Sequence, residues 1–204
     1  MSYPWTESRA AFTDAAEWFL DTVGLVGDRW ELPALGEWDV RSLVGHTTRA
    51  MLTVETYLAK PASTVDIDSP AAYFRAGRAL ARDSDIAARG REAGAALGPD
   101  PEPAVREIVI RVLELLDGRD GGELVTMIAG GMRLADYLPT RTFELTVHTA
   151  DLAAALGLHA EPPASAAAQA LGIVADLAVD SGSAGELLLG LTGRRSLPEG
   201  FSVL

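Results

Sequence analysis

The sequence predicts a mainly α-helical protein built as an antiparallel bundle, on three observations. Apolar residues recur near every 3.6 positions through several long segments, strand signals are few, and 48% of the 204 residues are hydrophobic against 23% charged. That composition suits one compact domain, or one domain with a small appendage.

Between residues 7 and 26, Ala11, Phe12, Ala15, Phe19, Leu20 and Val23 mark one face of a helix that Gly24 or Gly27 ends. Pro33 and Gly36 break the pattern, so residues 28–39 are predicted to form a connecting loop. Asp39 is placed to cap a second helix at 40–59, whose apolar face carries Val40, Leu43, Val44, Thr47, Met51, Val54 and Leu58. Ser69-Pro70 opens a helix running to the region of Gly90, and the turn cluster at 98–103 precedes another at 103–116. The loop "DGRDGGE" at 117–123 lacks the D-x-D-x-D-G spacing of a calcium loop. Residues 124–131 read as a short strand or a buried turn. A helix resumes at 135–156, with Pro139 tolerable only near its start and Gly157 at its end. Another spans 164–180, followed by a short helix and an ordered tail.

The net charge of -12 disfavours a counterion-release mode of nucleic-acid binding. Without cysteine the chain has no disulfide, no thiolate zinc site and no thiol nucleophile of its own, so thiol chemistry would need a borrowed thiol. The N-terminal residues carry no basic-then-apolar signal pattern, and no apolar run approaches the roughly 18 residues of a membrane span, so a cytoplasmic protein is expected. All but one of the 17 basic residues are arginine, a bias that suggests a GC-rich genome.

The stretch "RTFELTVHTAD", 141–151, carries the chemistry. At about 100° per residue, Arg141, Glu144, His148 and Asp151 fall in one narrow sector of the helix, opposite a face of Thr142, Thr146, Thr149 and Ala153. Burying such charges unpaired costs several kcal/mol each, so an inward stripe needs a cation, counter-charges or water. Glu144 and His148, four residues apart, can grip one ion from a single helix. A third ligand must come from elsewhere, and of the three histidines His46 lies inside the second helix while His159 follows Gly157 in a solvated loop. The same spacing also suits an exposed i,i+4 pair worth a few tenths of a kcal/mol, or a polar packing seam.

Two segments, "PALGEWDVRSLVGHTTRAM" (33–51) and "DYLPTRTFELTVHTADLAAALG" (136–157), resemble the signature regions of the mycothiol-dependent maleylpyruvate isomerase family, in the DinB/YfiT-like superfamily. The first resembles a W-x-V-R-x-L-V-x-H pattern and the second R-x-x-E-x-x-x-H-x-x-D; the closing "LLLGLTGRRSLPEGFSVL" resembles the tails of short members. The resemblance implies a DinB-like four-helix bundle over residues 1–160 and a C-terminal helical extension, 161–204, packed on it. It implies a divalent ion, zinc first and nickel the alternative, held by His46, Glu144 and His148 with one position open for the thiol mycothiol. A coordinated thiol ionises readily. For maleylpyruvate, thiolate addition to the cis double bond, rotation and elimination would give fumarylpyruvate.

In that scheme Asp151 orients His148 or a bound water, and Arg141 makes a structural ion pair with Glu144 or Asp151, or else meets a substrate carboxylate. Trp38 and Tyr57 border the cofactor site or serve as packing. Maleylpyruvate isomerases also carry a larger C-terminal α/β domain, whereas 47 residues follow Gly157 here, and Arg194 and Arg195 match no catalytic position. The partners implied are a small-molecule thiol and an electrophile, with homodimerisation suggested by analogy. The opposing reading is a non-catalytic metal-binding bundle, a sensor or dimeric scaffold, in which Asp151 closes the coordination shell.

Overall fold

The computed structural model describes residues 3–80 and 83–204, with the side chains of 79–85 also outside the description. Helix α1 (Trp5–Gly24) starts directly after Pro4 and buries Phe12, Ala15, Ala16, Phe19 and Val23. The expected loop that follows contains a small antiparallel hairpin, β1 (Pro33–Leu35) and β2 (Trp38–Asp39), turning at Gly36 with φ 56°. Strands this short carry no readable alternation. Pro33, with no N–H to donate, fits the outer start of such an edge. Asp39 caps α2 (Val40–Leu58) by accepting from the Ser42 amide at 2.7 Å.

The long helix expected from Ser69-Pro70 is occupied by α3 (Pro70–Leu80) and α4 (Asp83–Ala96); its residues 81 and 82 lie outside the described residues. Helix α5 (Pro101–Leu115) begins with proline in its first turn, where the missing N–H costs nothing. Residues 124–131 prove to be one strand and the turn of a second hairpin, β3 (Leu124–Met127) with β4 (Gly130–Arg133). The crossover chain pairs with it through bridges Pro61 to Val125 and Ile67 to Met132. Helix α6 (Leu134–Ala155) carries the polar stripe, and α7 (Ala164–Asp180) and α8 (Ala184–Leu191) follow.

The predicted helical bundle is present. Helix α1 packs on α5 and α6, and α2 packs on the same two, closing a ring of four. Bonds at the ends set the directions. Arg29, just beyond α1, donates to the Leu156 carbonyl at the far end of α6, so those two run parallel; Glu55 of α2 pairs with Arg111 of α5, and Arg41 reaches the Gly98 carbonyl, so those two also run parallel. Tyr137, early in α6, bonds Thr53, late in α2, so the two pairs oppose each other. Joining parallel α2 and α5 demands a long crossover, which the chain uses to lay α4 against α2 and α3 against α6 and α7.

Helix α6 is therefore enclosed by α1, α2, α3 and α7. Its threonine face is as interior as its charged one: Thr142, Thr146 and Thr149 are all buried, and the first two return their hydroxyl protons to carbonyls one turn back. Helix α7 adds a second apolar cluster in which Ile173 and Leu177 meet Phe143 and Phe74. Helix α8 packs on α7 and buries none of its residues. Among the described residues, no helix is long and apolar enough to cross a membrane.

Candidate metal centre and cavity

The site forms where α2 crosses α6. His46 sits in the second turn of α2, and its ring is set by Trp38, which lies 4.4 Å away centroid to centroid at a 34° tilt. Trp38 is itself fixed. Its indole N–H donates to the Ala87 carbonyl at 3.0 Å, and Gly90 lies against it so closely that a Cβ there would come within 2.5 Å of the indole. Helix α4 can approach because it crosses α2 glycine on glycine: a Cβ on Gly45 would stand 2.1 Å from the Gly94 nitrogen. The small residues of α4 thus act through Trp38 on His46.

From α6, successive turns bring Glu144, His148 and Asp151 to the same side. His148 Nε2 lies 3.3 Å from Glu144 Oε2 and its Nδ1 lies 3.1 Å from Asp151 Oδ2. The His46 and His148 rings meet edge to face at 4.9 Å. One donor atom each from His46, Glu144 and His148 falls within 4.8 Å of the others, the compactness needed to hold a single ion. Nδ1 of His46 is buried with no hydrogen-bond partner, which leaves imidazole donor capacity unused at that spot.

The electrostatics agree with a cation site. Burial and the neighbouring His148 push the His46 pKa down to about 4, so its ring is neutral, the form that ligates. Burial opposes ionisation of Glu144, but the hydrogen bond from His148 and the charge of Arg141 outweigh it and hold the carboxyl at about 2. Burial likewise opposes a charged His148, yet its bonds to Asp151 and Glu144 raise it to about 9. A proton on His148 balances the two carboxylates at the place where a bound cation would do the same.

The donors open onto a cavity of about 510 Å³ bordered also by Trp38, Tyr57, Tyr73, Arg49 and Arg141. The predicted ion pair of Arg141 with Glu144 or Asp151 does not form. Both carboxylates bond His148, and the Arg141 guanidinium lies instead to one side of the tilted Tyr73–Tyr137 pair, 5.0 Å from each centroid, with its Nε–H on Thr140 Oγ1. Asp151 stands behind His148, apart from the three-donor cluster. Trp38 is at once packing and cavity wall, while half-buried Tyr57 stacks 5.5 Å from Tyr137 on the same wall. His159 is exposed, as expected, and Arg194 and Arg195 lie exposed after α8.

Tyr73 and Tyr137 were not singled out from the sequence. Tyr137 stands four residues before Arg141, a stacking distance on a helix that the spacing alone contains. Tyr73 comes from α3, whose packing against α6 no spacing in the sequence declares.

Comparisons with curated proteins and with solved structures return no match. A family model does match, over residues 9–153, and it takes in nearly all of the four helices of the ring together with every donor of the cluster. The chain belongs to the family of the mycothiol maleylpyruvate isomerase N-terminal domain.

Proposed function

We propose that this protein is a divalent-metal-dependent enzyme that uses a low-molecular-weight thiol, mycothiol, for transfer to or isomerisation of a small electrophile such as maleylpyruvate. The observation that carries the reading is the convergence of His46, Glu144 and His148 on the wall of a cavity roomy enough for small molecules. These three residues would hold the ion, zinc in the first instance and nickel as the alternative. When bound, such an ion acts as a Lewis acid and lowers the pKa of a thiol.

The chain's own residues prepare that site. Asp151 accepts from His148 Nδ1 and so presents Nε2 to the cluster, the arrangement that fixes a ligating imidazole. Trp38 fixes the plane of His46. Asp151 is engaged with His148, so the cluster keeps three protein donors and a face toward the cavity, which supports a catalytic over a closed structural centre. The test is elemental analysis of the purified protein beside His46→Ala, Glu144→Ala and His148→Ala variants, followed by a mycothiol-transfer assay. Near-stoichiometric metal lost in every variant, with loss of thiol transfer, is expected. Metal loss with unchanged thiol transfer would leave a non-catalytic metal-binding bundle.

A further inference from the structure

The tail after α8 adds nothing to the bundle core, and its residues 192–200 are all exposed. A stretch so exposed has little reason to return to the body of the protein, yet this one is led back to the metal site. It turns first against α8, where Leu197 lies so close to Gly190 that a Cβ there would come within 2.6 Å of it, and where Arg195 pairs with Glu186 at 3.1 Å. The Phe201 amide then closes a second turn on the Pro198 carbonyl at 3.1 Å. Beyond that turn Val203 packs on the apolar cluster that holds Phe74, Phe143 and Ile173, and the Arg78 guanidinium of α3 donates to the Val203 carbonyl. Leu204 borders the same cavity as His46, Glu144 and His148.

The hold on this wall is slight. Among the described residues, the amide bonds of the tail all stay within α8 and the tail itself, so its docking on the bundle rests on Arg78 and on half-buried Val203. Segments with so few buried contacts are the first to open. The rim of the cavity carries a second sign. Ile128, in the turn between β3 and β4, is 79% exposed and Leu204 is 50% exposed, and both border the cavity. Exposed apolar side chains are commonplace singly. Two on the rim of one cavity, one of them on a loosely held segment, are placed to meet whatever enters.

We propose that residues 201–204 are a strap, a detachable wall of the cavity fastened by Arg78 and Val203, that lifts to admit small molecules and on closing seats Leu204 and Ile128 against their apolar part. A wall that closes after entry keeps bulk water from the reacting groups. The purpose of the strap rests on the proposed function, but its docking requires no metal.

Full-length wild type is compared with Val203→Asp, which sets a charge against the apolar cluster, and with Arg78→Ala, which removes the fastening bond. In chelated wild type, nuclear Overhauser contacts from the Leu204 methyls to the cavity rings Tyr73 and Phe74 are expected, and they should be lost in Val203→Asp; their absence from the wild type overturns the strap. A soluble nitroxide should broaden the Tyr57 and Tyr73 ring signals more in the variants than in the wild type, and equal broadening also overturns it. Zinc-loaded samples give the kinetic reading. Transfer of zinc to the chelator 4-(2-pyridylazo)resorcinol should run at least about fivefold faster in both variants, with the starting zinc content unchanged. Transfer at the wild-type rate in a variant that has lost the Leu204 contacts would make the tail a packing element only. A wild type that takes up no zinc counts against the metal reading alone, and the Overhauser and nitroxide results then decide the strap.

Discussion

Asp151 Oδ2 lies 3.1 Å from Nδ1 of His148, on the side of the ring away from Glu144. The contact fixes which nitrogen faces the cluster. Asp151→Ala is expected to leave the fold in place and weaken metal binding by about 10- to 100-fold, the usual cost of losing the group behind a ligating histidine. Competition against a metal indicator would measure it; an unchanged affinity would reduce Asp151 to an ion-pair partner.

The buried glycines of the α2–α4 crossing should tolerate no side chain. A Cβ at Gly45 meets the backbone of α4 at 2.1 Å, whereas one at Gly77 on α3 meets nothing within 4 Å. Gly45→Ala is expected to destabilise by about 2 kcal/mol or more through forced separation of the helices. Gly77→Ala is expected to stabilise by up to about 1 kcal/mol from helix propensity and lost unfolded-state freedom. Urea midpoints of the two variants beside wild type check both, and similar values would mean the crossing has slack.

Much of this was legible in the sequence, and the remainder has physical causes. Period 3.6 found α1, α2, α5, α6 and α7, and the i,i+4 spacing of Glu144 and His148 made them candidates for one ion, which the family resemblance completed with His46 and which the structure brings together. A helical wheel reports a residue's angle but not how many neighbours surround the helix, so it could not tell that the threonine face of α6 is as enclosed as the charged one. Nor could it see that His148 occupies both carboxylates and leaves Arg141 to the tyrosines. The spacing of Gly90 and Gly94, one helical turn apart, was a readable sign of close helix approach.

The stability of the metal-free protein should peak near neutrality, with each limb owed to a different histidine. His46 has an ordinary value of 6.5 unfolded and about 4 folded, so the unfolded chain binds more protons between them and stability falls as the pH drops through that window. His148 has 6.5 unfolded and about 9 folded, so its contribution is complete below 6.5 and is lost as the pH rises through 9. Urea midpoints at pH 4.5, 6.5 and 9 should therefore show the wild type losing more than His46→Ala on the acid side and more than His148→Ala on the alkaline side. Parallel pH profiles for the variants and the wild type would contradict both assignments.

The same protonation states set the proton count of metal binding. At pH 7.5 Glu144, held at about 2, is already ionised and His46, at about 4, is already neutral, so neither has a proton to give up. His148, at about 9, carries one. Coordination through its Nε2 requires the neutral ring, so uptake of zinc into the chelated protein should release about one proton at this pH. Calorimetric titration in buffers of differing ionisation enthalpy reads that number directly. The release should shrink as the pH is raised past 9, and apparent affinity should rise over the same range until it levels. Release of no proton at pH 7.5 would mean that His148 is neutral between its two carboxylates, or that the ion binds elsewhere; retention of full zinc uptake in His148→Ala distinguishes the second case from the first.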